Sequence, residues 1–132
     1  MSDGSLRDLI SMLRLDRDRS AWSRSQTFEE SLVKLRGEID ECLEALRAGD
    51  ETSVTEELGD VLWSLIFAMI VAEGEVGLPL DRVAAAAIGK LRGRKPWLFE
   101  DGSALTLEQE DLLWRRAKQR EKGFPGAEIS DS

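Results

Sequence analysis

Residues 36–72, "RGEIDECLEALRAGDETSVTEELGDVLWSLIFAMIVA", decide how this chain is read. Apolar residues recur every three or four positions on both sides of "AGDETS", the pattern of two amphipathic helices joined by a short turn. In the first, Leu32, Leu35, Ile39, Cys42, Leu43 and Leu46 form one stripe. In the second, Val54, Leu58, Val61, Leu62, Leu65, Ile66 and Met69 form another, while Trp63, Phe67 and Ile70 fall on other sides. A helix apolar nearly all round is buried on several faces, by its own domain or by a second subunit. Each helix also carries two acids three residues apart: Glu38 with Glu41, and Glu57 with Asp60. At about 100° per residue, both pairs flank their stripes on the same rotational side. Packed antiparallel, the two helices bring all four carboxylates to one edge of the core. Like charges on neighbouring turns repel unless a cation relieves them. The same spacing also suits a solvated acidic face, and 26 acidic residues make such pairs common. Spacing alone leaves both readings open.

Helical punctuation continues outward. Leu6, Leu9, Ile10 and Leu13 predict a short first helix, followed by the polar linker "DRDRSAWSRSQ". Thr27 with Glu30, Ser53 with Glu56 and Thr106 with Gln109 have capping-box spacing and predict three helix starts. Gly74 and Gly77 end the long apolar helix, and a further helix runs from about Asp81 to Leu91. "GRKPWLFEDGSA" reads as a loop interrupted by Pro96, and the last helix ends before Gly123 and Pro125. There is no internal repeat and no strand pattern. The expectation is all-α: one domain over residues 1–132, a four-helix-bundle-like core plus a short N-terminal helix. Residues 6–122 are expected to be ordered and 124–132 to form a flexible tail.

Composition narrows the chemistry. The chain has no histidine and one cysteine, Cys42. That excludes His-ligated zinc, Ser-His-Asp catalysis, the Glu-x-x-His sites of di-iron bundles and an internal disulfide. Any bound metal is held by oxygen, which suits Mg²⁺, with Mn²⁺ as a substitute. Cys42 lies in an apolar stripe and reads as a small buried hydrophobe. A net charge of −8 argues against nucleic acid or anionic lipid as partner. The apolar run "VLWSLIFAMIVA" is short of a membrane span, and "MSDGSLRDLI" lacks a signal peptide's features, so a cytoplasmic location is expected. No "GxxxxGK[ST]" is present, so phosphates are not held by a P-loop.

With its carboxylate pairs on successive helices, "WSRSQTFEESLVKLRGEIDECLEAL…EELGDVLWSLIFAM" resembles the MazG family of nucleoside triphosphate pyrophosphohydrolases. The similarity extends from about Leu6 to Lys122. It implies an all-α, magnesium-dependent enzyme that converts a nucleoside triphosphate, an aberrant one among the plausible targets, to monophosphate and pyrophosphate. Its metal ligands and catalytic carboxylates fall on Glu38, Glu41, Glu57 and Asp60. Two differences stand out: Gly37 replaces the first motif's leading glutamate, and the family's "CPWDxxQT" reads "SAWSRSQT" here, keeping Trp22, Gln26 and Thr27. Glycine inside a helix costs about 1 kcal/mol relative to alanine, so Gly37 is not placed for helix stability.

The resemblance also extends to the basic residues. Lys90 and Arg94 before "KPWLF" match a K-x-x-x-R segment that contacts the triphosphate, with Lys95 where many relatives carry histidine. Trp114 and Lys118 match a W-x-x-x-K near the chain end, tryptophan covering a base and lysine meeting phosphate. Trp22 is expected as a base-stacking lid, with Gln26 beside the substrate, and Trp63 and Trp97 as packing residues. For the basic cluster, complementing helix C-termini is an equally physical role. A homodimer or dimer of dimers is expected from the long apolar helix. The alternatives are a phosphoribosyl-ATP pyrophosphatase-like enzyme, with similar paired acidic motifs, and a non-catalytic helical dimerisation module.

Overall fold

The computed structural model describes residues 4–100 and 104–123. Among them are helices α1 (Leu6–Arg19), α2 (Ala21–Ser25), α3 (Phe28–Ala48), α4 (Glu51–Glu75), α5 (Leu80–Arg94) and α6 (Leu107–Gly123), with a 3₁₀ turn at Pro96–Phe99. No strand occurs among the described residues, and none of their helices is by itself long and apolar enough to cross a membrane. The all-α expectation holds. The chain divides after Leu80 into two compact units. The expected flexible tail, 124–132, lies outside the described residues.

In the first unit, serine chemistry makes helix where a linker was expected. Ser5 and Asp8 form a reciprocal capping box that starts α1. Ser20 then serves two helices at once. Its N–H donates to the Asp16 carbonyl to close α1, and its Oγ accepts from the Ser23 N–H at 3.2 Å to open α2. Most of "DRDRSAWSRSQ" is therefore helical, because one short polar side chain can end one helix and begin the next.

Thr27 and Glu30 cap α3 as their spacing predicts, at 3.1 and 3.0 Å. The backbone N–H of Thr27 holds the Glu30 carboxyl below its usual range. Gly49 ends α3 in the left-handed region, φ 74°, where a side chain would be strained. The start of α4 differs from expectation. Asp50, not Ser53, is the N-cap: its carboxylate accepts from the Thr52 N–H at 3.1 Å and from the Ser53 hydroxyl at 2.6 Å. The acid reaches the helix end two residues before Ser53, so α4 gains its first turn there and runs 25 residues.

A connection as short as Gly49–Asp50 returns α4 antiparallel to α3. Their far ends confirm it: the Phe28 N–H donates to Glu75 Oε2 at 2.5 Å. Against α4 lies α1, with Leu13, Ile66 and Ile70 buried together and Leu9, Ile10 and Met69 around them. Arg14 makes a two-pronged bond to Glu73, at 2.5 and 3.2 Å. Phe67, Ala68, Val71 and Ala72 are also buried. The two expected stripes are not covered along their length. Ile39, Leu43 and Leu46 on α3, and Leu58, Leu62 and Leu65 on α4, are each 40–62% exposed. Of the residues expected on other faces, Phe67 and Ile70 are inside, together with Ile66 of the stripe, while Trp63 is exposed.

In the second unit, α5 extends to Arg94, one turn beyond the expected end. Pro96 starts the 3₁₀ turn, where its missing N–H costs nothing. Thr106 and Gln109 cap α6 reciprocally, at 2.8 and 3.1 Å.

Candidate active site

Residues three apart on α3 project onto neighbouring turns of one face, so Glu38 and Glu41 point the same way. The antiparallel hairpin then places Glu57 of α4 against them. One carboxylate oxygen from each of the three lies within 4.8 Å of the other two. Glu38 Oε1 accepts from Lys34 Nζ at 3.3 Å, one turn earlier on the same helix. Glu38 Oε2 and Glu57 Oε2 are buried and accept no hydrogen bond. An orphaned buried carboxylate oxygen is costly, and one on each of two neighbouring glutamates calls for a positive partner. The neighbouring charge and hydrogen bond of Glu38, and then the charge of Glu57, push the Glu41 carboxyl above its usual value. This is an oxygen-only donor set of the kind hard divalent cations take.

Asp60 is not in that group of three. One turn further along α4, it lines a cavity of about 440 Å³ that also takes in Glu38 and Lys34. A pocket of that size is within the range that holds a nucleotide-sized ligand. Aromatic rings make much of its remaining wall: Trp22 from α2, with Trp63 and Phe67 from α4. Trp22 is 58% exposed and stacks near Phe67, centroids 6.1 Å apart and planes 25° from parallel. It stands on a short helix rather than in a loop. Trp63, expected to pack inside, is 53% exposed and faces the cavity. Its position on α4 turns it off the buried side that holds Ile66 and Ile70. Asp16, Ser31 and Ser64 complete the lining. None of these three was singled out in the sequence, because each is brought to the cavity by packing between helices rather than by spacing along one.

Gln26 is the C-cap of α2 and is not among the residues lining the cavity. Its carbonyl accepts from Arg17, whose guanidinium also reaches the Ser23 carbonyl. Gln26 thus helps fix the end of the short helix that carries Trp22. At Gly37, an added Cβ would meet nothing within 4 Å, so space for a side chain exists where the motif's leading glutamate is missing.

In the second unit the matched basic residues separate into different environments. Arg94 is only 6% exposed; its Nε pairs with Glu121 at 3.4 Å, and its guanidinium lies 5.3 Å from the Trp114 centroid. Lys95 and Lys118 approach the same ring at 5.9 and 5.6 Å. Trp114 is therefore a platform for three cations. Lys90 is exposed. Trp97 donates from Nε1 to Glu110 at 3.3 Å, which ties the 3₁₀ turn to α6 and agrees with a packing role.

Comparison with known proteins places this arrangement. A family model described as the MazG nucleotide pyrophosphohydrolase domain matches residues 26–99, which hold all four motif carboxylates. A nucleoside triphosphate pyrophosphohydrolase of Mycobacterium tuberculosis is 33% identical over 117 residues, covering 87% of this chain and 36% of that protein. An uncharacterised 26.1 kDa protein of Streptomyces cacaoi is 33% identical over 119 residues, 89% of this chain and 49% of its own length. The chain thus spans half or less of the length of these curated relatives. The crystal structure of a mazG-related protein from Thermotoga maritima superposes with a TM-score of 0.82 at 27% identity, covering 86% of this chain and 98% of that one. The helical hairpin, its carboxylate cluster and these matches agree, and the chain belongs to the MazG nucleotide pyrophosphohydrolase family.

Proposed function

We propose that this chain hydrolyses a nucleoside triphosphate to the monophosphate and pyrophosphate, with a divalent cation, Mg²⁺ or Mn²⁺, held by Glu38, Glu41, Glu57 and Asp60. The observation that carries the reading is the pair of orphaned buried oxygens on Glu38 and Glu57, within reach of Glu41 and beside an aromatic cavity. A bound cation would engage phosphate oxygens and lower the pKa of the attacking water. Water oxygen would bond to a phosphorus of the α–β bridge, that P–O–P link would break, the water's proton would pass to a carboxylate or to solvent, and monophosphate and pyrophosphate would separate.

The chain's own side chains set up that displacement. Trp22 and Trp63 offer faces for a base, and each stacked base is worth about 1–3 kcal/mol in comparable aromatic sites. Lys34 holds Glu38 by its ion pair and gives the cavity a cation at the carboxylate end. Glu41, whose carboxyl is pushed up by the charge of Glu38 and Glu57, is the ligand whose repulsion a bound cation would relieve. Lys90, Arg94, Trp114 and Lys118 are proposed as triphosphate and base ligands on the resemblance alone; Arg94 also carries a structural ion pair. A second copy of the chain is proposed to cover the open leucines of α3 and α4, since contiguous exposed apolar surface of this kind marks an interface.

The test is direct. The protein is incubated with nucleoside triphosphates and MgCl₂, with and without chelator, and products are followed by phosphorus NMR. Pyrophosphate and monophosphate are expected, with turnover lost in chelator. Orthophosphate as the primary product, or full turnover in chelator, overturns the reading.

A further inference from the structure

Because α3 and α4 run antiparallel, the cavity has two chemically distinct ends. Glu38 and Asp60 belong to one. Seven residues away on each helix, about 10 Å at 1.5 Å per residue, Ser31 and Phe67 belong to the other. Trp22 lies with Phe67 at that second end, and α1, whose Leu13 packs on Ile66 and Ile70, reaches the cavity through Asp16. If phosphates occupy the carboxylate end, the base occupies the aromatic one.

At the aromatic end, Asp16 and Ser31 both turn acceptors to the cavity, beside the Trp22 ring. The Ser31 hydroxyl, 3% exposed, donates its proton to the Phe28 carbonyl at 2.7 Å and so turns only lone pairs to the cavity. The Asp16 carboxylate is acceptor-only when ionised, and among the described residues it makes no hydrogen bond or ion pair through its side chain. A base edge that meets Asp16 and Ser31 must bring donors. Guanine presents two parallel ones, N1–H and the 2-amino group, matched to the two oxygens of a carboxylate. Uracil and thymine present one N–H between two carbonyls, which would face the carboxylate with like charge. Adenine and cytosine present one amino group beside a ring acceptor.

We propose that Asp16 is a specificity-determining residue that selects guanine among the bases, by accepting from N1–H and the 2-amino group. The proposal rests on the nucleotide-hydrolysis reading of the same cavity, and deepens it. Lys34, ion-paired to Glu38, stands toward the carboxylate end, on the phosphate side of the pocket.

The decisive comparison is guanine against hypoxanthine, which differ by the 2-amino group alone. kcat/KM is measured for GTP, ITP and UTP with the parent and with Asp16→Asn, alongside calorimetric binding of GMP and IMP. The parent is expected to favour GTP over ITP by about tenfold, the scale of one charge-assisted hydrogen bond at a half-buried site. Asp16→Asn should bring the two within about twofold while leaving the melting temperature and Mg²⁺ binding in place, which a merely structural role for Asp16 would not do. Pyrophosphate release with equal GTP and ITP constants in the parent overturns the Asp16 assignment and leaves the hydrolytic reading standing. If no triphosphate turns over, the hydrolytic reading fails, and calorimetry still decides the base pocket. A GMP preference abolished by Asp16→Asn supports it; equal binding of GMP and IMP, or none, overturns it. Should the variant not fold, the parent's GTP-to-ITP ratio decides alone.

Discussion

Replacing Glu57 with glutamine gives the carboxylate cluster its sharpest test, because two effects of opposite sign can be separated in one titration. Without metal, Glu57 faces Glu38 and Glu41 with oxygens no more than 4.8 Å apart, and its Oε2 is buried without a partner. Two unit charges at that separation repel by about 1 kcal/mol in a water-like medium and about 3.5 kcal/mol at an effective dielectric of 20. Glu38 and Glu57 are half-buried and Glu41 is exposed, so the repulsion lies between these figures, with about 1 kcal/mol as its lower bound. Glu57→Gln removes the charge, keeps the shape, and supplies an amide N–H to the neighbouring carboxylates. In chelator the variant should therefore be more stable than the parent by about 1 kcal/mol, or a few degrees in Tm for a chain of this length. With Mg²⁺ at about a hundred times its dissociation constant, the parent gains about 2.7 kcal/mol by mass action. The variant, having lost a ligand, gains little, so the order of stability reverses. Circular dichroism melts at 222 nm in EDTA and in MgCl₂ read both halves. A variant less stable than the parent in EDTA, or one stabilised by Mg²⁺ as much as the parent, refutes the account of the cluster as a cation site.

Glu73 is one of three carboxyls of the first unit held low, with Glu30 and Asp50, and it contributes to the unit's acid sensitivity. Hydrogen bonds from Arg14 first, and from the Leu80 N–H at 2.9 Å, hold its carboxyl below the ordinary 4.5. A depressed folded pKa stabilises above the unfolded value and loses that stability as pH falls through the folded one. Parent and Glu73→Gln should differ most in Tm at neutral pH and converge as pH drops below 4.5; a gap that persists at low pH would argue against the ion pair. In the second unit, Lys90→Ala should raise KM for triphosphates and leave Tm nearly unchanged, and Arg92→Ala, at an exposed neighbour resting on Phe99, should change neither KM nor Tm. Arg94→Ala should cost about 2 kcal/mol or more in denaturant melts, because it strands Glu121 and uncovers Trp114; equal kinetic losses at Arg92 and Lys90 would sink the phosphate assignment. Light scattering should return a mass above the 14.8 kDa of one chain, and Leu62→Asp should reduce it toward one chain. A monomer at micromolar concentration would contradict the role given to the open leucines.

Local chemistry alone made much of this protein legible. Thr27 with Glu30 and Thr106 with Gln109 cap helices where their spacing says, since a capping box needs only residues within one turn. Glu38, Glu41 and Glu57 come together because helical period and a short turn leave the hairpin little choice. Where two local signals competed, sequence reading chose wrongly: Ser53 offered a capping box, but Asp50, nearer the turn, took the Ser53 hydroxyl as a donor. Longer-range outcomes were not in the pattern at all. Arg94 is buried because Glu121, 27 residues away, meets it. Trp63 is exposed because α1 covers the Ile66 and Ile70 side of α4 and leaves the other open. Asp16 and Ser31 share a cavity because separate helices converge there. Periodicity determines which face of a helix is apolar, but which faces are covered depends on where the other helices pack, and that is a property of the tertiary structure alone.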